Sequence, residues 1–365
     1  MGCVCGKSEL VISNRRFLIL DMLGEGGFSQ VFLVEEVRRA GGGLWGQPLR
    51  KWALKRVDCH SAAEEAAALR EVELHHRLAG GVSISDNVLP CEAHTVIKKP
   101  DRSQVCLILP YYRKGTLLQE LQLRQISQEP ISESRILRLF HGICCGIRAF
   151  HTLHPVPYAH RDIKPGNVLL SDTDVPVLMD LGSARPARLT VPTSRDAQAL
   201  QDYAAEHCSM TYRAPELFQV NPGDYITEKT DIWSLGCLLY ALCYYKSPFD
   251  IVYEKGNCVA LAVQSAKLDF PEDSPYSEYI RDLIESLLQV DADFRPDILT
   301  ILSSLESHCD QLQIRLNLLP SPKKSNQPNS ENSDFPNSSS RHSDYSLPEE
   351  TAEDARGNTE NFVIS

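Results

Sequence analysis

The densest chemistry in this chain lies in AHRDIKPGNVLL, residues 159–170, where a carboxylate, an ammonium and an amide (Asp162, Lys164 and Asn167) stand directly ahead of the apolar run Val168-Leu169-Leu170. A second carboxylate, Asp180, follows in VLMDLGSAR, residues 177–185. These residue types in this order suit phosphoryl transfer. Asp162 can accept the proton of an attacking hydroxyl, and Lys164 can neutralise charge on the group in flight. Asn167 and Asp180 offer the hard oxygens that Mg²⁺ takes as ligands. A surface loop can carry charges by chance. Five polar positions in fixed order ahead of a strand, counting His160 and Arg161, are not expected of one.

Two further features would complete such a site. LGEGGFSQVFLV, residues 23–34, is a glycine-rich turn after a strand. A dinucleotide-binding turn needs a helix immediately after the glycines. Here Val31 to Val34 continue as a strand, so the glycines cap a hairpin. The segment Leu23, Gly24, Glu25, Gly26, Gly27, Phe28, Ser29, Gln30, Val31 then reads as a flap over nucleotide phosphates. Gly24 and Gly26 let backbone N–H groups approach oxygens closely. Taken alone, the stretch also fits an ordinary hairpin tip. Lys55 lies in the strand KWALKRVD, where Trp52 and Leu54 point to one face and Ala53 and Lys55 to the other. Ala53 is small enough to pack on a flat base while Lys55 reaches the α and β phosphates. Lys55 needs an anion to hold it. Glu71, in the helical stretch LREVELHHRL, is the candidate, with Glu73 as runner-up.

The elements that must position these groups fall into two kinds. FLILDMLG, VFLVEEV, KWALKRVD and VCLILPYY are β-type runs, interrupted by one helix, AAEEAAALREVELHHRLA. After Gly115 the pattern turns helical. ESRILRLFHGICCGIRAFHTL has apolar residues at three- and four-residue steps, and DIWSLGCLLYALCYY is apolar nearly all round, as a buried helix is. A β-rich piece followed by a helical piece gives an α+β fold of two lobes with a cleft between them. In TYRAPEL, Glu216 would be a costly buried charge without a partner, and Arg295 is the evident one. Asp231 opens the buried helix and is placed to cap backbone N–H groups under the 160–167 loop. Both are scaffold by role.

Composition bounds the rest. The chain has 365 residues, 42% hydrophobic, with a net charge of −11. That charge argues against a nucleic-acid binder, because no basic excess exists to neutralise phosphates. The 12 cysteines show no paired zinc spacing and no long apolar leader opens the chain, so they read as reduced, buried and cytosolic. The domain reading is a lipid-modified arm over 1–14 and a folded domain over 15–319, with lobes at about 15–112 and 113–319. A tail over 320–365, rich in Ser, Asn, Pro and acids, has too little apolar surface to offset its ordering entropy and reads as disordered.

With all motifs in order from about Phe17 to Leu305, the chain resembles the eukaryotic protein kinases. GEGGFS, MDLGSA and YRAPELF, with the stretches MGCVCGK and KGNCVALAV, resemble the Numb-associated kinase family among them. The resemblance implies a two-lobed kinase fold, ATP with Mg²⁺, protein substrates with serine/threonine specificity, and autophosphorylation. It makes Asp162, Lys164, Lys55 and Glu71 the catalytic set and Asn167 with Asp180 the metal ligands. By the family's spacing Leu109 is the gatekeeper. The Pro110 carbonyl and the Tyr112 N–H serve adenine, and Leu23, Val31, Ala53 and Leu169 sandwich it. Pro110 lacks an N–H, but only its carbonyl is required.

The departures from the family pattern are informative. Ser29 replaces the usual third glycine of the flap. Leu181 replaces the usual phenylalanine after the metal-binding aspartate and is expected to pack as the same apolar plug beneath the helix bearing Glu71, while Gly182 allows the sharp bend. The loop RRAGGGLWGQP and the polar tail lie away from the cleft. Lys164 and Thr211 favour a Ser/Thr acceptor, with the Thr211 hydroxyl bonding Asp162 and Lys164. The resemblance also implies an extra helix near LFQVNPGDYITEKT. An activation-segment phosphate on Thr190, Thr193, Ser194, Ser209 or Thr211 is a possible partner for Arg161, a role the extra helix can replace.

Gly2, once Met1 is removed, presents the amine that myristoylation requires, although Gly6 stands where the signal usually has Ser or Thr. One such chain holds a membrane weakly, so a second signal is needed. Cys3 and Cys5 supply it as palmitoyl sites. The expected enzyme is a monomer on the cytoplasmic face of perinuclear, Golgi-type membranes, with some in the cytosol. Its rival is an inactive kinase-fold scaffold tethered in the same way. The five polar residues Lys55, Glu71, Asp162, Asn167 and Asp180 decide between them, because a relic has no chemical need to keep all five.

Overall fold

The computed structural model describes residues 9–26, 29–37, 50–80 and 86–316. Expectations for Gly2, Cys3, Cys5, Gly27 and Phe28, for the loop at 38–48 and for the tail from 320 lie outside the described residues.

The N-terminal lobe is a six-stranded antiparallel sheet. Its strands are β1 (Glu9–Ile12), β2 (Arg15–Glu25), β3 (Ser29–Val37), β4 (Lys51–Cys59), β5 (Ala93–Lys98) and β6 (Ser103–Pro110), in the spatial order β1-β2-β3-β4-β6-β5. Alternation along β4 divides its side chains between two small cores, as the period of two requires. Trp52 and Leu54 pack with Phe17 and Phe32 on one face. Ala53 and Val57 pack on the other with Ala68 and Val72 of helix α1 (Ala62–Ala79). That helix starts where Ser61 accepts a hydrogen bond from the Glu64 N–H, has Glu64 and Glu65 in its first turn, and ends at Gly80.

One boundary needs correction. Residues 9–12, assigned to the N-terminal arm, form β1, which pairs with β2 through Leu10↔Phe17 and buries Ile12 completely. The folded domain therefore begins by Glu9, before residue 15.

The C-terminal lobe contains α2 (Leu117–Ser127), α3 (Glu133–His151), α4 (Ser194–His207), α5 (Lys229–Tyr244), α6 (Asp250–Glu254), α7 (Val259–Ser265), α8 (Glu278–Leu287) and α9 (Ile298–Gln311). Short strand pairs join β7 (Tyr158–Ala159) to β10 (Arg185–Pro186), β8 (Val168–Leu170) to β9 (Pro176–Leu178), and β11 (Leu189–Thr190) to β12 (Tyr225–Ile226). Helix α5 is buried on every face from Thr230 to Cys243 and forms the axis of the main core. Helix α3 runs directly under β9. A Cβ on Gly146 would stand 2.6 Å from the Leu178 side chain and 2.8 Å from the Asn87 carbonyl oxygen, so only glycine allows this approach.

The extra helix is present but elsewhere than expected. LFQVNPGDYITEKT, residues 217–230, holds only the last residue of the single turn Pro215–Leu217, then strand β12 and the first two residues of α5. Pro222 and Gly223, the latter at φ 96°, break any helix there. The helix is α4, within the segment between Asp180 and Glu216. It starts at a reciprocal cap in which Thr193 accepts from the Asp196 N–H and the Asp196 carboxylate accepts from the Thr193 N–H.

Candidate active site

The strand pair β8–β9 carries the polar cluster on its two flanks. Asn167 immediately precedes β8, and Asp180 follows β9 by two residues. The Met179 N–H donates to the Asn167 carbonyl at 2.9 Å, which closes the two flanks onto each other.

Asp162 is buried, and each of its oxygens has a partner. Oδ2 accepts from Asn167 Nδ2 at 2.8 Å and faces Lys164 Nζ at 2.8 Å. Oδ1 accepts from the Ser209 N–H at 2.9 Å. The loop bearing it is held from beneath by Asp231, which is fully buried. Asp231 accepts from the N–H groups of His160 at 2.8 Å and Arg161 at 2.9 Å, and from His151 at 2.9 Å. This is the capping role read from the sequence. Burial alone would raise the Asp231 pKa. The His151 hydrogen bond and the charges around it reverse this and hold it below the ordinary carboxylate value. The support is needed because Arg161 adopts a left-handed backbone at φ 64°.

Lys55 lies between two carboxylates, with Nζ 2.7 Å from Glu71 Oε1 and 2.9 Å from Asp180 Oδ1. Glu71 is therefore the anion that Lys55 needs, and Glu73 is exposed. Burial opposes the charge on Lys55, but Glu71 and then Asp180 outweigh it and raise the lysine pKa. The Lys55 charge in turn lowers Asp180 to about 2. Leu181 is 1% exposed and joins the main core with Leu74 and Leu78 of α1, as a plug beneath the Glu71 helix should. The sharp bend, assigned to Gly182, belongs instead to Asp180, which takes φ 63° and ψ 77°.

Between the lobes is a cavity of about 440 Å³, within the range of small-molecule sites. Its wall includes Leu23, Gly24, Ser29, Val31, Ala53, Lys55, Leu109, Pro110, Tyr112 and Leu169, with Glu71 and Asp180 at one end. Glu25, Gly26 and Gln30 lie on the β2–β3 hairpin outside the wall. There the Gly26 N–H donates to the Ser29 carbonyl at 2.8 Å, and Gln30 Nε2 donates to Glu25 at 2.8 Å. Sequence reasoning missed His75, Leu89 and Met179 in the wall. Met179 was within reach, being the residue before Asp180.

The donor set fits a divalent cation. Asn167 directs its amide N–H group onto Asp162, onto both the backbone oxygen and Oδ2, at 2.8 Å each. Its side-chain oxygen is left as an acceptor, and Asp180, its pKa depressed by Lys55, supplies a carboxylate. Among the described residues no cluster of three or more His, Cys, Asp or Glu could hold a metal alone. A cation here would complete its shell with phosphate oxygens and water, as Mg²⁺ commonly does.

One assignment shifts by two residues. The hydroxyl that bonds Lys164 is Ser209 Oγ, at 2.7 Å, and the Ser209 N–H also meets Asp162. Thr211, expected in this role, lies in the single turn Met210–Tyr212 that follows. That turn carries it past the loop. The rest of the segment is fixed by α4. The His207 carbonyl accepts from Ser183 Oγ at 2.9 Å, and the Cys208 carbonyl accepts from Arg213 at 2.8 Å. Tyr203 donates to the Ser183 carbonyl at 2.6 Å, under the Arg185 guanidinium. Arg161 is buried beside these groups. Its Nη2 reaches the Pro186 carbonyl, and its Nε and Nη1 have no partner among the described residues. Glu216 and Arg295 form the expected fork, two bonds of 2.8 Å.

A hairpin flap and a lysine between two carboxylates at one interlobe cavity, with an Asp–Lys–Asn loop on the strand pair that carries Asp180, are the arrangement of an ATP-dependent, divalent-metal phosphotransferase that acts on proteins. The chain belongs to the protein kinase domain family, whose profile matches residues 17–305. It is similar to serine/threonine-protein kinase 16 of Rattus norvegicus and of Homo sapiens. Each is 41% identical over 305 residues, covering 84% of this chain and 94% of the relative. It is also similar to serine/threonine-protein kinase ppk13 of Schizosaccharomyces pombe, 32% identical over 332 residues, covering 82% of this chain and 92% of the relative.

Proposed function

We propose that this protein kinase uses Mg²⁺-ATP to phosphorylate serine and threonine hydroxyls, itself included, and belongs to the Numb-associated family. We place it, as a monomer, on the cytoplasmic face of Golgi-type perinuclear membranes with a cytosolic fraction, held by acyl chains on Gly2, Cys3 and Cys5. The observation that carries the acceptor class is Lys164 joined to Ser209 at 2.7 Å, with the Ser209 N–H on Asp162. This ties the segment ahead of Glu216 to the proton acceptor, an arrangement that supports an aliphatic hydroxyl as acceptor.

In this reading the cleft takes adenine between Ala53 and Leu169, with the Pro110 carbonyl and Tyr112 N–H on its edge. Lys55, held by Glu71, meets the α and β phosphates. Asp162 takes the proton of the attacking hydroxyl, and Lys164 offsets charge on the transferred group. Asn167 and Asp180 would hold the cation that neutralises the phosphate oxygens. The family name of the curated relatives supports the same acceptor class. The inactive-scaffold alternative has no feature in its favour, since all five polar residues are present, with Lys55 bonded to Glu71 and Asp180, and Asn167 to Asp162.

Two experiments test the proposal. Purified chain incubated with labelled ATP and a degenerate Ser/Thr/Tyr peptide library should yield phosphoserine and phosphothreonine. Label on tyrosine alone would overturn the acceptor class. In fractionated cells Gly2→Ala should move the protein to the soluble fraction, and Cys3→Ser with Cys5→Ser should leave it only transiently bound. Unchanged membrane association of Gly2→Ala would sink the anchor.

A further inference from the structure

A pair of imidazoles outside the cleft takes no part in the chemistry above. His76 lies on α1 and His94 on β5, with ring centroids 5.5 Å apart and ring planes at 61°. The groove that holds them is also lined by Leu69, Val72, Glu73 and Arg77, and it shares no wall residue with the interlobe cavity. Among the described residues neither ring has a hydrogen bond or an ion pair. Histidines elsewhere in the fold are committed. His75 meets the Leu89 carbonyl, His151 meets Asp231, and His160 meets the Met179 carbonyl.

A neutral imidazole carries one bare nitrogen, which donates a lone pair to a metal. Burial, and then the charge of His76, hold His94 below the ordinary imidazole value, so that ring is neutral at pH 7. The spacing suits a shared ion. Zinc binds an imidazole nitrogen at about 2.0–2.1 Å, and the ring centre lies about 1.1 Å behind that nitrogen, so two rings on one tetrahedral ion have centroids roughly 5 Å apart. The stacked rings of Tyr279 and His308, 3.6 Å apart, leave no such room.

The surrounding charges permit a cation. Glu73 precedes His76 by three residues, shares its helix face and is exposed, which places a carboxylate beside the rings. A carboxylate so placed can accept the N–H of a metal-bound imidazole. Arg77 is the one cationic residue named in the groove wall, and it is drawn away. Its Nη2 donates to the His154 carbonyl at 3.3 Å, and its guanidinium lies over the Tyr158 ring. Among the described residues no third His, Cys, Asp or Glu completes a cluster, so water fills the remaining positions. Imidazole nitrogens suit Zn²⁺ and its transition-metal neighbours, whereas Mg²⁺ takes oxygen ligands.

We propose that His76 and His94 form a two-imidazole site for Zn²⁺, completed by water, that bridges α1 and β5. It differs in place and in ligand chemistry from the cation position at Asn167 and Asp180, which offers oxygens alone. The chain thus holds two cations of different class, and excess Mg²⁺ does not displace the ion from the imidazoles.

Zinc chloride titrated into the ¹⁵N-histidine-labelled full chain, with Mg²⁺ in excess, tests this. The ring-nitrogen signals of His76 and His94, assigned from His76→Asn and His94→Asn, should move together as zinc is added, and Mg²⁺ alone should leave them in place. Calorimetry under the same conditions should show a zinc site whose affinity falls about 10-fold or more in either variant, because a single imidazole remains. Zinc held by cysteines or carboxylates elsewhere would shift neither ring and would survive both substitutions. That result overturns the proposal, as does movement of one ring without the other.

Discussion

Asp231→Asn is the change that tests most directly how the fold holds the chemistry in place. The carboxylate receives three buried donors, the His160 and Arg161 N–H groups and the His151 ring. An amide has the same shape but one acceptor. With its oxygen toward His151 and His160 it keeps two bonds, now without charge assistance, which costs about 2–3 kcal/mol in all. Its NH₂ group then meets the Arg161 N–H donor to donor. Leaving that N–H unpaired adds about 1–3 kcal/mol. The total, about 3–6 kcal/mol, is a large part of the roughly 5–15 kcal/mol that stabilises a typical domain.

The loss would fall at one place. The left-handed conformation of Arg161 is unfavourable by about 1–2 kcal/mol and is offset in part by this bond. Released, it would turn the loop and shift Asp162, the next residue. A displacement of about 1 Å there should lower kcat about 10²-fold. The KM for ATP should change little, because the cavity wall is built from other elements. Urea denaturation gives the stability, and initial rates at saturating ATP give kcat. A folded Asp231→Asn protein with parent kcat and a stability within about 0.5 kcal/mol of the parent would refute the reasoning.

Other consequences are open to measurement. Ser209→Ala should lower kcat for peptide substrates several-fold through loss of the Lys164 bond, while Thr211→Ala should have the smaller effect; the reverse order would restore the sequence-based assignment. The pKa of Asp180 is depressed to about 2, so its ion pair with Lys55 contributes stability that is present above about pH 4 and lost as pH falls toward 2. Acid unfolding of Asp180→Asn should accordingly be less steep than that of the parent across that window, and equal slopes would contradict the depressed value. Leu181→Phe should keep metal-dependent ATP binding, with a cost of about 1–3 kcal/mol from overpacking around a side chain only 1% exposed. Loss of that binding in a folded variant, followed by calorimetric titration, would show that Leu181 is more than a plug.

What could be read from the sequence depended on how locally each feature is determined. The helix over 62–79 was legible to the residue, because six alanines, a serine cap and a closing glycine all act on it. The groups of the 160–167 loop were legible because their spacing along the chain fixes their spacing in space. Strand β1 was not. ELVI is too short a run to carry an alternation signal, and it becomes a strand only by pairing with β2. Strand β5 was passed over as well, since AHTVIK gains its strand state from β6. Ser209 was mistaken for Thr211 because a single turn decides which hydroxyl reaches Lys164, and a turn of three residues leaves no periodic trace. His75 was invisible for a different reason. Its hydrogen-bond partner is 14 residues away in a segment without regular structure, and on the helix it looks like any residue of the buried face.

The early start of the fold at Glu9 sets a leash length. With the proposed acyl chain on Cys5, three residues lie between the anchor and Glu9, the first paired residue of β1, and the four steps of fully extended chain span at most about 3.3–3.6 Å each. The catalytic domain would then be confined within roughly 14 Å of the headgroups at that corner. So anchored, the enzyme would search a surface and barely sample the bulk. Its choice among acceptors would become partly a matter of altitude: a hydroxyl carried close to the membrane would be repeatedly encountered, while an identical one on a tall stalk would be out of reach.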